Sequence, residues 1–349
     1  MRSIDIGGRR IGPGNPCFII AEAGVNHNGQ LETARLLVDA SLTAGVDAVK
    51  FQTWVTEKLV APSARMAKYQ EENVGADLGQ YEMLKALELS YDEFTELSSY
   101  ASARNALFFS TPDEEDSADF LEQLGVPLFK IGSAEVTNLP FLRHVARKGK
   151  PVILSTGMSN LAEVADAVRA IEETGNMQLV LLHCVSNYPA SPADYNLRAM
   201  NTMAEAFGYP VGLSDHTLGP QIALAAVALG ACVIEKHFTL DKAMAGPDHP
   251  ASSNVEELAA LVRWIRDVEA AMGDGVKAPA PSELDTREVV RKSMVAARTL
   301  RAGESISEVD LAFRRTSGGL DLSHISKVVG RRLICDLKEN DLITLEMVR

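Results

Sequence analysis

Several absences narrow this 349-residue chain before any motif is read. It holds four cysteines, Cys17, Cys184, Cys232 and Cys335, far apart and mostly inside apolar runs. That spacing supplies neither a disulfide framework nor a zinc knuckle, and reads as free thiols in a reducing compartment. No apolar run approaches the roughly 20 residues that span a bilayer, and the first ten residues lack the apolar core of a secretory leader. A cytoplasmic setting away from membranes is the expectation. Net charge is −13, with 34 basic against 47 acidic residues. That deficit excludes nucleic acid as a partner, because phosphate backbones need basic stripes. No glycine-rich phosphate fingerprint follows the first strand-like run, which removes the main support for a doubly wound dinucleotide fold.

What is present is a rhythm. Eight short apolar or β-branched runs end abruptly in polar residues: Cys17–Glu22, Ala48–Thr53, Leu107–Thr111, Leu128–Ser133, Val152–Thr156, Leu179–Cys184, Val211–Asp215 and Cys232–His237. Continuous apolar runs suit strands covered on both faces of a parallel sheet. Helically spaced segments lie between them, including Leu31–Ala44, Tyr91–Arg104, Glu114–Leu124, Asn160–Thr174, Ala193–Phe207 and Gln221–Leu229. Eight β-then-α units predict a (β/α)8 TIM barrel over residues 1–272. The long stretch from Trp54 to Ala106 predicts a loop insertion with one helix at its end. A Gly/Pro/Ala-rich linker over 273–283 then leads to a small β-rich domain over 284–349, with strand-like runs at Ser293–Ala297, Leu311–Arg314, Lys327–Val329 and Leu342–Leu345.

A barrel of this kind carries its chemistry at the C-terminal strand ends. Here those ends hold Glu22, Lys50, Gln52, Thr111, Lys130, Ser133, Glu135, Ser155, His183, Ser186, Ser214, Asp215, His216, Glu235, Lys236 and His237. Charges beside apolar strands are expensive unless paired or functional. Lys50 and Lys130 with Ser133, Ser155 and Ser214 offer two point charges and several hydroxyls to a phosphate. The plainer reading pairs each lysine with a strand-end carboxylate such as Glu22 or Glu135. His216 and His237 end adjacent strands and suit a divalent ion with open positions; a hydrogen-bonded histidine pair is the plainer alternative. Glu22 and Glu135 are acid/base candidates. His27 reads as a loop residue capping a helix, and His144, His249 and His324 as surface or loop residues. The acidic run Asp113–Asp116 reads as a solvated helix start, and Trp54 and Trp264 as packing residues.

With these residues assembled, the chain resembles the sialic acid synthase family, which includes legionaminic acid and pseudaminic acid synthases. The matching stretches are FIIAEAGVNHNGQLETA (18–34), AGVDAVKFQT (44–53), FFSTP (108–112), FKIGSAE (129–135), PVILSTGMS (151–159), LLHCVSNYPA (181–190), VGLSDHTLG (211–219), IEKHFTLD (234–241) and AGPDHPAS (245–252). RKSMVAARTLRAGESI (291–306) and the FRR of 313–315 resemble that family's antifreeze-like (SAF, β-clip) module. The resemblance implies condensation of phosphoenolpyruvate with N-acetylmannosamine or a related 2,4-diacetamido hexose. It implies a divalent metal, Mn²⁺ before Mg²⁺ or Co²⁺, on His216 and His237. Phosphoenolpyruvate falls to Lys50, Thr111, Lys130, Ser133, Ser155, Ser186 and Ser214. Glu22 becomes the catalytic carboxylate, and Gln52, Asn73, Glu135, Tyr188 and Asp248 hold the open-chain sugar. A homodimer is implied in which Arg315 of one antifreeze-like domain reaches the N-acyl group in the other subunit's barrel. Thr316-Ser317 stand where the family carries Pro-Gly, and Ser186 where some members carry Asn. A related synthase using another aldose, and a retired sugar-binding protein of the same fold, are the competing readings.

Overall fold

The computed structural model describes residues 2–74 and 79–349, which divide between Gly273 and Asp274 into two compact units. The first is built on eight parallel strands: β1 (Phe18–Gly24), β2 (Ala48–Thr53), β3 (Phe108–Pro112), β4 (Phe129–Ile131), β5 (Val152–Ser155), β6 (Leu179–Cys184), β7 (Val211–Asp215) and β8 (Val233–His237). Hydrogen bonds join them in the order β3-β2-β1-β8-β7-β6-β5-β4. The end strands β3 and β4 lie side by side, so the sheet curls into a nearly closed (β/α)8 barrel. The expected strands therefore form, each within two residues of its expected limits. Every residue of β1 is buried, since one face meets the barrel interior and the other the helices.

Local chemistry sets the helix limits. Leu31–Ala44 stops at Gly45, whose φ of 78° is the left-handed conformation that glycine adopts without strain. Asn160 with Glu163, and Asn254 with Glu257, close capping boxes on Leu161–Glu172 and Val255–Met272. The helix expected over Ala193–Phe207 begins only at Ala199, because Pro192 opens a 3₁₀ turn and Asn196 takes positive φ. An N-terminal hairpin, Ile4–Ile6 with Arg9–Ile11, adds Ile6 and Ile11 to the barrel core.

The Trp54–Ala106 stretch corrects the expectation of a loop. Its early part carries helices Thr56–Leu59, Lys68–Val74 and Gln80–Leu87. Met66, Met83 and Leu87 bury with Trp54 and Val25 in a small separate core. Met83 and Leu87 are four residues apart, so they present one face of their helix to that core. Residues 75–78 of that stretch lie outside the described residues.

The second unit pairs Lys292–Ala296 antiparallel with Leu311–Arg315 and has its own core of Met294, Leu300, Ile306, Leu333 and Ile343. Two expected strands do not form as such. Leu322–Lys327 is a 3₁₀ helix, and Leu342 contributes only an isolated bridge to Val295. Residues 273–291 are exposed throughout and include a helix, Leu284–Val290, that the sequence did not announce.

Candidate active site

Side chains alternate along a strand, so residues two apart share a face. Glu22 on β1, Lys50 and Gln52 on β2, Thr111 on β3, Lys130 on β4 and Ser155 on β5 all point inward. So do Cys184 on β6, Ser214 on β7, and Glu235 and His237 on β8. Together they line one cavity at the C-terminal mouth, completed by Asp113, Ser133, Tyr188 and His216 from the loops beyond. A larger cavity, about 570 Å³ against about 80 Å³, opens at the opposite strand ends beside Cys17 and Cys232. Its Glu269 is already engaged by Cys17 N and Arg266. Convergent charge, not volume, identifies the site.

Its floor is an ion cluster. Lys50 Nζ lies 2.6 Å from Glu22 Oε2, donates to Thr111 Oγ1 at 2.8 Å and stands 3.8 Å from Glu235 Oε2. Lys130 Nζ is 3.3 Å from Glu235 Oε1, which also accepts from Ser214 Oγ at 3.0 Å. The plainer reading of the lysines is thus half realised, yet the cluster is left open. Glu22 Oε1, Glu235 Oε2 and Ser155 Oγ are buried without hydrogen-bond partners. An orphaned buried acceptor costs about 1–3 kcal/mol, which a stability role would not retain. Burial pushes the Glu22 carboxyl up to about 8, with Lys50 opposing. For Glu235 burial also pulls upward, but Lys130 and Lys50 outweigh it and hold the group below its ordinary range. Two carboxyls driven apart in this way form an acid/base pattern.

His216 and His237 face each other with ring centroids 5.3 Å apart. Nδ1 of His216 lies 2.7 Å from the Val185 carbonyl, which can only accept, so the proton sits there and Nε2 presents its lone pair. Nδ1 of His237 is buried without a hydrogen-bond partner, 3.7 Å from Asp248 Oδ2. Burial lowers both imidazoles, His216 to about 4. Neutral rings, one of fixed tautomer, fit a divalent cation. Among the described residues no third His, Cys, Asp or Glu joins them as a shell, so water or substrate oxygens would fill the remaining positions.

The other sequence-derived candidates sit nearby or apart. Tyr188 packs on His216 at 4.1 Å and on Tyr69 of the insertion at 5.0 Å. Asn73 donates to Pro247 O at 2.6 Å, beside Asp248. Ser186 meets Ser133 and Cys184 around Gly157, whose N–H donates to Ser133 Oγ; a Cβ there would collide with all three side chains. Glu135 accepts from Asn138 Nδ2 at 2.6 Å and does not line the cavity. Arg315 lies exposed at the end of its strand in the second unit, opposite Lys292.

Four readings are corrected. Asp113 is not part of a solvated helix start: it opens on the cavity, and only Glu114 caps the helix, accepting from Asp116 N and Ser117 N. His249 is fully buried, bonded to Thr239 and Asn28. His27 caps no helix; it is buried, accepts from Gly29 N, and packs near Phe51. Trp264 is 43% exposed, so it is no core residue. The sequence marks Glu235 only as a strand-end residue without a role, and Cys184 only as a free thiol; both line the cavity. Inward parity would have found both, since Glu235 stands two residues before His237.

The chain is similar to known proteins over nearly its whole length. Residues 37–277 match the NeuB family and residues 291–349 the SAF domain. An N,N'-diacetyllegionaminic acid synthase of Legionella pneumophila is 49% identical, covering 95% of this chain and 94% of its own length. The N-acetylneuraminate-9-phosphate synthase of Homo sapiens is 36% identical over 98% and 95%. The crystal structure of an N-acetylneuraminic acid synthetase from Leptospira borgpetersenii superposes with a TM-score of 0.72 at 36% identity, over 82% of this chain and 95% of that one. The chain belongs to the NeuB family and is a sialic-acid-type synthase.

Proposed function

We propose that the chain condenses phosphoenolpyruvate with an N-acylated amino sugar, giving a nonulosonate and phosphate in a Mn²⁺-dependent reaction. The acceptor in this reading is the 2,4-diacetamido-6-deoxy hexose, supported by the higher identity to the legionaminic than to the neuraminate relative; N-acetylmannosamine is the acceptor to test against it. The observation that carries the reading is one cavity holding two lysines, four serine and threonine hydroxyls and two neutral imidazoles. Lys50 and Lys130 hold the phosphate, with Thr111, Ser155 and Ser214 donating to its oxygens. Mn²⁺ on His216 and His237 would polarise the sugar aldehyde. As C3 of phosphoenolpyruvate bonds to that carbon, positive charge grows at C2, and the ionised Glu235 faces it. Glu22, protonated near neutral pH, holds a mobile proton beside Lys50 while water adds at C2 and phosphate departs. Gln52, Tyr188, Asp248 and Asn73 orient the sugar. Arg315 from a second subunit completes the N-acyl pocket in a cytoplasmic homodimer.

The test is phosphate release from phosphoenolpyruvate by metal-stripped protein, with Mn²⁺ restored and each acceptor supplied in turn. Acceptor-dependent release that vanishes without Mn²⁺, and in His216→Ala, is expected. No release with any amino sugar would overturn the reading.

A further inference from the structure

Asp113 has no place in the chemistry above, yet it opens on the cavity. Its backbone N–H donates to Thr53 O, which pins the first residue after β3 against the end of β2. Among the described residues its carboxylate forms neither a hydrogen bond nor an ion pair. Burial pushes its pKa up to about 7, with Lys50 opposing and Glu135 adding to the rise. The cavity already sets Lys50 and Lys130 against the carboxyls of Glu22 and Glu235. A third carboxyl there works against binding an anion, because a carboxylate a few ångströms from a phosphate or an enolpyruvyl carboxylate is repelled in a low-dielectric site. The partner left for it is the uncharged co-substrate, which is rich in hydroxyl and acylamino N–H donors.

We infer that Asp113 is a specificity-determining residue, accepting a hydrogen bond from one hydroxyl or acylamino N–H of the acceptor sugar on the cavity wall that it shares with Gln52. This rests on the synthase reading. A site that hydrogen-bonds a substrate group discriminates strongly against analogues lacking it, since its own polar group is then left unpaired.

The test compares wild type with Asp113→Asn, which keeps an acceptor oxygen and the volume, and Asp113→Leu, which keeps the branched shape and no acceptor. Each is assayed with the full acceptor and with analogues lacking one hydroxyl or one acylamino N–H, and phosphoenolpyruvate affinity is measured directly by calorimetry. The expected result is a KM for the acceptor raised about 100-fold in Asp113→Leu and about tenfold in Asp113→Asn, with phosphoenolpyruvate affinity equal to or tighter than wild type. One of these analogues should lose as much with wild type as Asp113→Leu loses with the full acceptor, and lose nothing further in that variant. Weakened phosphoenolpyruvate binding with unchanged acceptor KM would overturn the inference, as would variants indistinguishable from wild type. Wild type inactive with every amino sugar would instead remove the synthase reading, and this inference with it. Retained phosphoenolpyruvate binding identifies a folded variant.

Discussion

Two buried lysine–carboxylate groups meet on one strand, β8, and do opposite things. Inside the barrel, Lys50 and Lys130 meet Glu22 and Glu235, and buried oxygens of Glu22, Glu235 and Ser155 lack hydrogen-bond partners. Outside it, Lys236 Nζ lies 2.8 Å from Asp215 Oδ2 and donates to the carbonyls of Thr217 and Gly219 at 2.5 and 3.2 Å. Asp215 Oδ1 in turn accepts from Thr217 N and Oγ1 at 2.9 and 2.8 Å. The outer pair uses its donors and acceptors on the protein; the inner one keeps some for a ligand. Glu235, Lys236 and His237 are consecutive, so one step along β8 separates chemistry from structure. Residue type does not distinguish them, whereas parity and hydrogen-bond completeness do.

The largest expected effect breaks the inner cluster. Lys130→Met should lower kcat/KM by about 10³-fold, roughly 4 kcal/mol of transition-state stabilisation, while the unfolding midpoint in urea barely moves. If the reverse happened, with activity kept and stability lost, the inner cluster would be the structural one. Lys236→Met is the converse. Leaving Asp215 buried and unpaired should destabilise by about 3 kcal/mol, read by urea denaturation, with kcat of the folded fraction within about twofold of wild type.

His27 carries the comparison into pH. It is buried on the outer side of the barrel wall near Phe51, and burial lowers it to about 4 from 6.5. Between those values the unfolded chain binds the extra proton, so stability falls as pH drops through that window, by up to roughly 3 kcal/mol. His27→Gln lacks this term. Its stability deficit against wild type should therefore shrink as urea titrations move from pH 7 to pH 4, with activity at pH 7 preserved. A deficit independent of pH would mean that the His27 ring is not held neutral by the fold. The smallest effect belongs to Gly157→Ala. The new methyl displaces Ser133 and Ser186 and should raise KM for phosphoenolpyruvate about tenfold, about 1.4 kcal/mol, leaving acceptor KM unchanged.

Much of this site was legible because a barrel strand announces its mouth: an apolar run that stops at a lysine, glutamate or histidine puts a costly polar group at the edge of the core, where a ligand or a partner must meet it. Lys50, Lys130, His216 and His237 were found that way. Asp113 was hidden by its company, since Asp113–Asp116 has the composition of any helix start. His249 was hidden because no sequence pattern tells that Thr239 and Asn28, 10 and 221 residues away, will satisfy it. The helices of the insertion were missed because their buried face is only a few residues long.

By itself the sequence determined the periodic features: eight strands buried on both faces, capped helices, and the polar residue that ends each run. These follow from local rules of alternation and burial. The tertiary structure decided which polar residues share an environment. Curling the sheet brings the inward-facing residues of eight strands into one cavity, where their charges must answer to each other. A one-residue change of parity sends the next side chain to a helix-packed wall, where it must be satisfied or the fold loses stability.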